Sequence, residues 1–376
     1  MKVLQITPAF YPAYVYGGPI ECVYLLSRQL VHHGCEVWVL TTDANGPDKV
    51  LDVAKDREVE LAKDLRVRYC RRVMRHTVSP ALLRAIPPYV RRVDLVHLTA
   101  VYSFPTIPTL IVCRVLGKPV VWSPHGSLQR WKGSRRSKLK AFWEWVCRAV
   151  APKTLMLHTT SEQEAQAARE RFPDADVMVI PNCVQIPEQV THVEGRGMLR
   201  LLYLGRLDPK KGIENLLQAC KILNRNYGEA WSLTIAGAGD RPYTESLRDR
   251  IAVLSLQQQV RMIGEVAGDA KERLFEKADI VVVPSFTENF GLVVAEALAH
   301  EVPVIASRGT PWSRLEEMGC GLWVNNDPES LAKAIERISR LPRREMGQRG
   351  REWMRAEFSW DHGAREMLSC YKRLVG

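Results

Sequence analysis

No CxxC pair, no GxGxxG turn, no short-period repeat and no low-complexity tract occurs in the 376 residues. The nine cysteines, from Cys22 to Cys370, are scattered and odd in number. That excludes a zinc cage of the paired-cysteine kind and a closed disulfide framework, and it points to a reducing compartment with buried, inert thiols. Without the glycine fingerprint a nicotinamide-binding turn is poorly served, although Asp43 ends a strand where such a fold places its ribose acid. Long apolar runs are missing too. The longest uncharged stretch, 95–113, contains His97, Pro105 and Pro108, so it reads as strand, loop and helix rather than as a membrane span. Met1 leads directly into an apolar strand with no basic segment ahead of it, and no secretory signal is expected.

Acid is scarce in one region. Residues 65–153 hold 18 Lys/Arg and only 2 Asp/Glu, whereas the whole chain carries 53 and 42, a formal +11. The excess lies in residues 1–190, at 26 against 17, and nearly cancels in 191–376, at 27 against 25. A field of one sign suits an anionic partner: a membrane surface, a lipid phosphate or nucleic acid. The rest is ordinary for a soluble globular protein, with 46% hydrophobic and 25% charged residues and length enough for two cores.

Strand and helix signals alternate from the start. Residues 2–6 and 36–42 read as strands around a helix at 19–33, which has Pro19 in its first turn and Gly34 as its stop. Further strands are expected at 94–98, 119–123, 155–159 and 177–180, and Ser161 with Glu164 spells a capping box. A second series follows: strands at 199–204, 232–236, 261–263, 280–283 and 302–306, with a helix near 213–223. This alternation predicts an α/β protein of doubly wound parallel sheets. Two Rossmann-like domains are expected, 1–185 and 199–360, joined by a linker at 186–198, with a last helix at 361–376 packing back on the first.

Residues 284–307 concentrate the chemistry. Glu288 and Glu296 stand eight residues apart around Asn289, Phe290 and Gly291, a spacing that would put both carboxylates near one helix face. Strands on either side place them at the carboxyl edge of a parallel sheet, where ligands bind. Upstream, Gly205, Arg206, Lys210 and Lys211 lie between a strand and a helix. An arginine fork and a compact lysine charge beside a helix N-terminus suit a diphosphate; a solvated basic loop has the same composition. Carboxylates at 288 and 296 can accept from sugar or ribose hydroxyls, or simply favour a helix dipole.

Gly17 and Gly18 lie between the first strand and helix, where glycine admits a phosphate or merely a tight turn; Gly237 and Gly239 read as another such turn. His125 follows a strand and can donate to a sugar hydroxyl or phosphate, or be structural. In 130–153, Leu139, Phe142, Trp143, Val146, Ala149 and Val150 share a helical stripe flanked by Arg and Lys. Such a helix either lies on an anionic bilayer or packs on the core with its basic side in water. A second basic cluster at 66–92 favours the bilayer. Asp174 and Asp176 resemble a metal-binding acid pair but precede a strand, and no metal site is expected.

Together, ENFGLVVAE (288–296), GRLDPKKG (205–212), the Gly17-Gly18 loop, SPHGSL (123–128), SEQEA (161–165) and IPN (180–182) resemble the retaining glycosyltransferases of family 4. The resemblance spans nearly the whole chain. It implies the GT-B fold, two Rossmann-like domains facing across a cleft. SPHGSL and the basic, tryptophan-containing stretch behind it are similar to transferases of bacterial capsule, exopolysaccharide and O-antigen assembly.

Roles follow residue by residue from the resemblance. Arg206 and Lys211 would bind the donor diphosphate beside Gly205. Glu288 would hold donor-sugar hydroxyls, with backbone amides around Asn289, Phe290, Gly291 and Leu292. Glu296 would bind the ribose, His125 the transferred sugar, and Gly17 and Gly18 would leave room near phosphate and acceptor.

The resemblance further implies a UDP- or GDP-linked sugar as co-substrate with no cofactor and no metal. The acceptor would be lipid-linked or an oligosaccharide, and an anionic membrane surface rather than nucleic acid would be the larger partner. The enzyme would work peripherally on the cytoplasmic face of the plasma membrane, in cell-surface polysaccharide biosynthesis. Cys183-Val184-Gln185 departs from the family's Gly-[ILV]-Asp, so no role passes to Gln185. The competing readings are a nicotinamide-dependent oxidoreductase and a non-catalytic binder of sugar nucleotides or nucleic acid.

Overall fold

The computed structural model describes the chain apart from residues 75–76, 130–136, 194–196 and 228–229 and the side chains of 225–227. It divides into two compact units, Met1–Asn182 with Trp360–Gly376, and Cys183–Ser359.

In the first unit eight strands form one sheet: β1 (Lys2–Ile6), β2 (Glu36–Thr42), β3 (Glu58–Ala62), β4 (Leu65–Cys70), β5 (Leu95–Thr99), β6 (Val120–Ser123), β7 (Leu155–Thr159) and β8 (Asp176–Val179). Their order is β3-β4-β2-β1-β5-β6-β7-β8. All neighbours run parallel except β3 and β4. The helices are α1 (Gly18–His32), α2 (Pro80–Arg92), α3 (Thr106–Val115), α4 (Ser137–Val150) and α5 (Glu162–Arg171). Strand alternation explains why both faces are covered. Leu4, Ile6, Leu98 and Trp122 point into one core with α2, and Val3, Val39, Leu95 and Val121 into the other, which also takes Met367, Cys370 and Tyr371 of the final helix, Trp360–Val375. All nine cysteines are buried, and burial pushes the thiols of Cys113 and Cys147 up to about 12.

The β3–β4 hairpin revises the charge reading of 66–92. Glu58 stands opposite Arg68 and Glu60 opposite Arg66, cross-strand partners of opposite sign. Arg66 also lies over the Trp38 ring, 5.5 Å from its centroid. Part of the basic excess therefore stands beside carboxylates of the neighbouring strand.

The second unit has one six-stranded sheet in the order β11-β10-β9-β12-β13-β14, all parallel. The strands are β9 (Leu199–Leu204), β10 (Trp231–Ala236), β11 (Val260–Gly264), β12 (Ile280–Val283), β13 (Val304–Ser307) and β14 (Gly321–Val324). Between and after them run α6 (Ile213–Tyr227), α7 (Arg241–Val253), α8 (Asp269–Lys277), α9 (Leu292–Ala299), α10 (Pro328–Ser339) and α11 (Arg343–Glu357). Leu201, Tyr203, Ile280, Val282 and Ile305 face one core, and Leu202, Val281, Val283, Val304 and Ala306 the other. The chain enters at β9, winds outward through β10 and β11, then returns to place β12 on the other side of β9. That reversal opens a crevice at the carboxyl ends of β9 and β12.

Candidate functional site

Two loops meet at this crevice. After β9, Gly205 takes φ +152°, a backbone that favours glycine, and a Cβ on Gly237 would fall 1.8 Å from the Gly205 carbonyl oxygen, so the second turn needs glycine to approach the first. Arg206 follows, exposed, its carbonyl accepting from the Tyr203 hydroxyl at 2.9 Å. Asp208 then caps a short 3-10 turn, Pro209–Lys211, by accepting from the Lys210 amide at 3.0 Å. Gly212 ends it at φ +64°, packed so closely that a Cβ would lie 2.1 Å from the Pro284 carbonyl oxygen of the neighbouring loop. The Phe286 amide donates to the Lys210 carbonyl at 2.8 Å, and Asn326 donates to Pro284. The two loops are thus one unit of backbone.

This places Lys211 against Glu288. The ammonium pairs with Oε1 of the carboxylate, to which Ser285 also donates at 2.7 Å. Both charged side chains are mostly covered, at 17% and 13% exposure. Glu288 is fixed from behind by its own amide, which donates to the Gly309 carbonyl at 2.8 Å. Gly291 is the N-cap of α9 in the left-handed region, with no side-chain cap; the Val294 amide turns back to the Gly291 carbonyl at 2.9 Å, and the Leu292 and Val293 amides stand ahead of that first intrahelical bond.

Glu288 therefore precedes the helix, and the eight-residue helical spacing to Glu296 does not govern their relation: the left-handed turn at Gly291 breaks it. Glu296 lies inside α9 and pairs with Lys271 of α8 at 2.5 Å. The Phe290 ring turns into the core, buried against Trp312 and Phe358, and Trp312 Nε1 donates to its carbonyl. Leu292 packs partly on the same core, and Asn289 is half-buried.

Sequence reasoning missed Ser285 and Lys271. Serine three residues before Glu288 is a local clue; Lys271, 25 residues before Glu296, is brought there only by tertiary packing.

The remaining candidates belong to the first unit. Gly17, at φ +77° and ψ −155°, and Gly18 start α1, a backbone that glycine alone adopts freely. His125 is itself left-handed at φ +48°. It is half-buried at its surface, yet enough protein surrounds the ring to push its pKa down to about 4 by desolvation. At neutral pH it is an uncharged donor and acceptor.

Helix α5 holds this loop at two points. Glu164, fully buried, accepts from the Gly126 amide, and Arg171 Nε donates to the Leu128 carbonyl at 2.9 Å. The expected capping box is half formed: Ser161 accepts from the Glu164 amide, but the Glu164 carboxylate takes the Thr160 amide at 2.8 Å and its hydroxyl at 2.9 Å.

Beneath the loop runs a relay whose direction the tautomers fix. His158 Nε2 can only donate to the Ile180 carbonyl, at 2.9 Å, so its Nδ1 accepts from Ser123 at 2.7 Å. Ser123 in turn accepts from His97 Nε2 at 2.6 Å, leaving His97 Nδ1 to accept from the Tyr371 hydroxyl at 2.5 Å. Both rings must be neutral for this chain to hold. Burial lowers His158 to about 4, and burial first, then the charges of His158 and His125, lowers His97 well below its usual value.

Two family profiles match in tandem. The one described as Glycosyltransferase Family 4 covers residues 16–186, and the one described as Glycosyl transferases group 1 covers 190–353. The GDP-mannose:cellobiosyl-diphosphopolyprenol alpha-mannosyltransferase of Xanthomonas campestris is 27% identical over 387 residues, covering 100% of this chain and 98% of that protein. Among solved structures, the sucrose-phosphate synthase of Thermosynechococcus elongatus superposes with a TM-score of 0.75 at 23% identity, covering 99% of this chain and 98% of that one. Anabaena HepE in complex with UDP gives 0.73 at 16%, covering 99% and 100%. At such identities the structural likeness carries the fold, which is GT-B. The matched segments together take in the crevice at β9 and β12 and the His125 loop, and the chain belongs to the family 4, group 1 glycosyltransferases.

Proposed function

We propose that the protein is a retaining glycosyltransferase that moves a sugar from a UDP- or GDP-linked donor to a lipid-linked or polysaccharide acceptor in cell-surface polysaccharide biosynthesis. The carrying observation is the Lys211–Glu288 pair at the β9/β12 crevice, beside the uncapped start of α9. A diphosphate entering there meets the Lys211 ammonium, the exposed Arg206 guanidinium and free helix amides. These groups stabilise the charge that grows on the departing phosphate, the role a divalent ion plays elsewhere, and transfer is expected to proceed without added metal. The Glu288 carboxylate, with Ser285 and Lys211 on Oε1, keeps Oε2 for a sugar hydroxyl. Glu296, held by Lys271, is assigned to the ribose.

His125 is assigned to the transferred sugar through the family resemblance, and its neutral ring suits a hydroxyl. No carboxylate is assigned as a covalent nucleophile. We favour front-face attack, in which the acceptor hydroxyl bonds to the anomeric carbon as the bond to phosphate breaks, and its proton passes to the departing phosphate oxygen. The relative named for GDP-mannose and a diphosphopolyprenol-linked acceptor supports a lipid carrier, and work at the inner membrane face is part of the same proposal. No described helix is long and apolar enough to cross a membrane, which suits peripheral attachment.

The test is a thermal-shift screen with UDP-, GDP- and ADP-sugars on wild type and Arg206→Ala/Lys211→Ala. One donor should raise the melting temperature of wild type alone. Equal shifts in both proteins would remove the diphosphate assignment.

A further inference from the structure

Helix α4 turns an unexpected side inward. The apolar stripe read from its sequence is split: Trp143 and Val150 pack on the core, while Leu139 and Phe142 stand 59% and 61% exposed. The fully covered positions are Cys147 and, against all expectation for a charged residue, Glu144. Glu144 wins that place because Arg171 lies 3.4 Å from its carboxylate and the Tyr102 hydroxyl donates to it. Rotating α4 to bury Leu139 and Phe142 would break both contacts and leave Arg171 without that carboxylate.

Trp145 is also 56% exposed, and its ring stacks on Phe142 with centroids 5.9 Å apart and planes 25° from parallel. Helix α3 packs beside α4 and adds Ile111 at 42% and Val115 at 78%. Arg114 of α3 donates to the Ala149 carbonyl at 2.5 Å and ties the two helix ends together. The result is a group of five exposed apolar side chains on two helices packed together, of a kind that soluble surfaces seldom leave uncovered.

The same helices are basic. Arg114, Lys138, Arg148 and Lys153 are exposed, and neither α3 nor α4 shows an exposed acid, Glu144 being their only carboxylate. Large apolar and aromatic side chains interleaved with cations on the same two helices match what an anionic lipid leaflet offers: an acyl boundary for the first and phosphates for the second. A nucleic-acid backbone would satisfy the cations and leave Leu139, Ile111 and Val115 with nothing to bury.

We propose that the α3–α4 face is the docking surface for an anionic bilayer, with Leu139, Phe142 and Trp145 entering the headgroup boundary and Arg114, Lys138, Arg148 and Lys153 engaging lipid phosphates. This deepens the peripheral attachment proposed above and rests on it for its purpose, but binding needs neither donor nor acceptor.

The full chain is sedimented with vesicles of phosphatidylcholine alone and of phosphatidylcholine with phosphatidylglycerol. The protein should pellet with the anionic vesicles and not with the neutral ones. Phe142→Ser/Trp145→Ser should lower the partition coefficient at least about tenfold. Lys138→Glu/Arg148→Glu should lower it as much and remove its salt dependence. Each variant should keep the wild-type melting temperature and nucleotide-induced shift, which shows that unit and site are intact. Wild type that ignores phosphatidylglycerol, or variants that pellet like wild type, overturn the proposal, as does retention of an RNA oligonucleotide without vesicle binding. Vesicle binding with no transfer from any sugar nucleotide to a detergent-dispersed acceptor would instead count against the catalytic reading and leave this surface standing.

Discussion

The two units treat charge in opposite ways. At the carboxyl edge of the second sheet, cations and carboxylates are paired side by side, Lys211 with Glu288 and Lys271 with Glu296, in partly covered positions. In the first unit the groups below the corresponding loop are imidazoles held neutral, and the uncompensated cations lie outside on α3 and α4. The contrast is chemical. A ligand that brings a diphosphate and hydroxyls can split an ion pair to its own advantage, the phosphate taking the lysine and a hydroxyl the glutamate. The exposed cations of α3 and α4 have no carboxylate beside them on those helices, as suits the lipid phosphates proposed above.

The largest effect should come from dividing the pair. Lys211→Met and Glu288→Gln should each lower the transfer rate by roughly a hundredfold or more, the scale of one lost transition-state contact. The lysine change should also cost stability, since it leaves Glu288 mostly covered without its cation. The double variant should regain the melting temperature and not the rate. Normal turnover in either single variant would separate the pair from the chemistry.

Gly212→Ala sharpens the structural side of the comparison. The Cβ would fall 2.1 Å from the Pro284 carbonyl oxygen at φ +64°, so the two crevice loops must part. A loss of more than about 2 kcal/mol in urea unfolding is expected. An unchanged midpoint would mean that the loops are not locked together.

Acid should act on the first unit. His158 is lowered from 6.5 to about 4, so below 6.5 the unfolded chain takes up a proton that the folded one refuses. Stability is then complete at neutral pH and is lost as pH falls from 6.5 towards 4, by about 2 kcal/mol near pH 5 for this one group. Denaturant melts against pH should show that slope, reduced by about one proton in His158→Asn. A flat profile would refute the neutral relay.

The smallest effect concerns the His125 loop. Glu164→Gln keeps the shape and loses the charged acceptor of the Gly126 amide. As a positioning change it should lower kcat by about tenfold and leave the donor KM alone. An equal rise in KM, or no change in either, would make Glu164 a purely structural buried acid.

Much of the fold was legible because buried parallel strands are apolar runs: β1, β2, β7, β9 and β12 were read to the residue. The β3–β4 hairpin was missed because Glu58, Glu60, Arg66 and Arg68 look like a charged surface until they are placed opposite one another. The glutamates of the crevice were visible as letters, but their spacing misled, since helical arithmetic fails across a left-handed glycine. The face of α4 was misread for a similar reason. Periodicity ranks residues by their own hydrophobicity, and here a buried Glu144–Arg171 pair from another helix decided the rotation.

The central claim is that a nucleotide diphosphate sits at the β9/β12 crevice. A crystal structure with UDP or GDP bound tests it most directly. The account requires phosphate oxygens within hydrogen-bond distance of Arg206, Lys211 and the first amides of α9, with the ribose hydroxyls on Glu296. A nucleotide seated elsewhere, with the Lys211–Glu288 pair untouched, would contradict it.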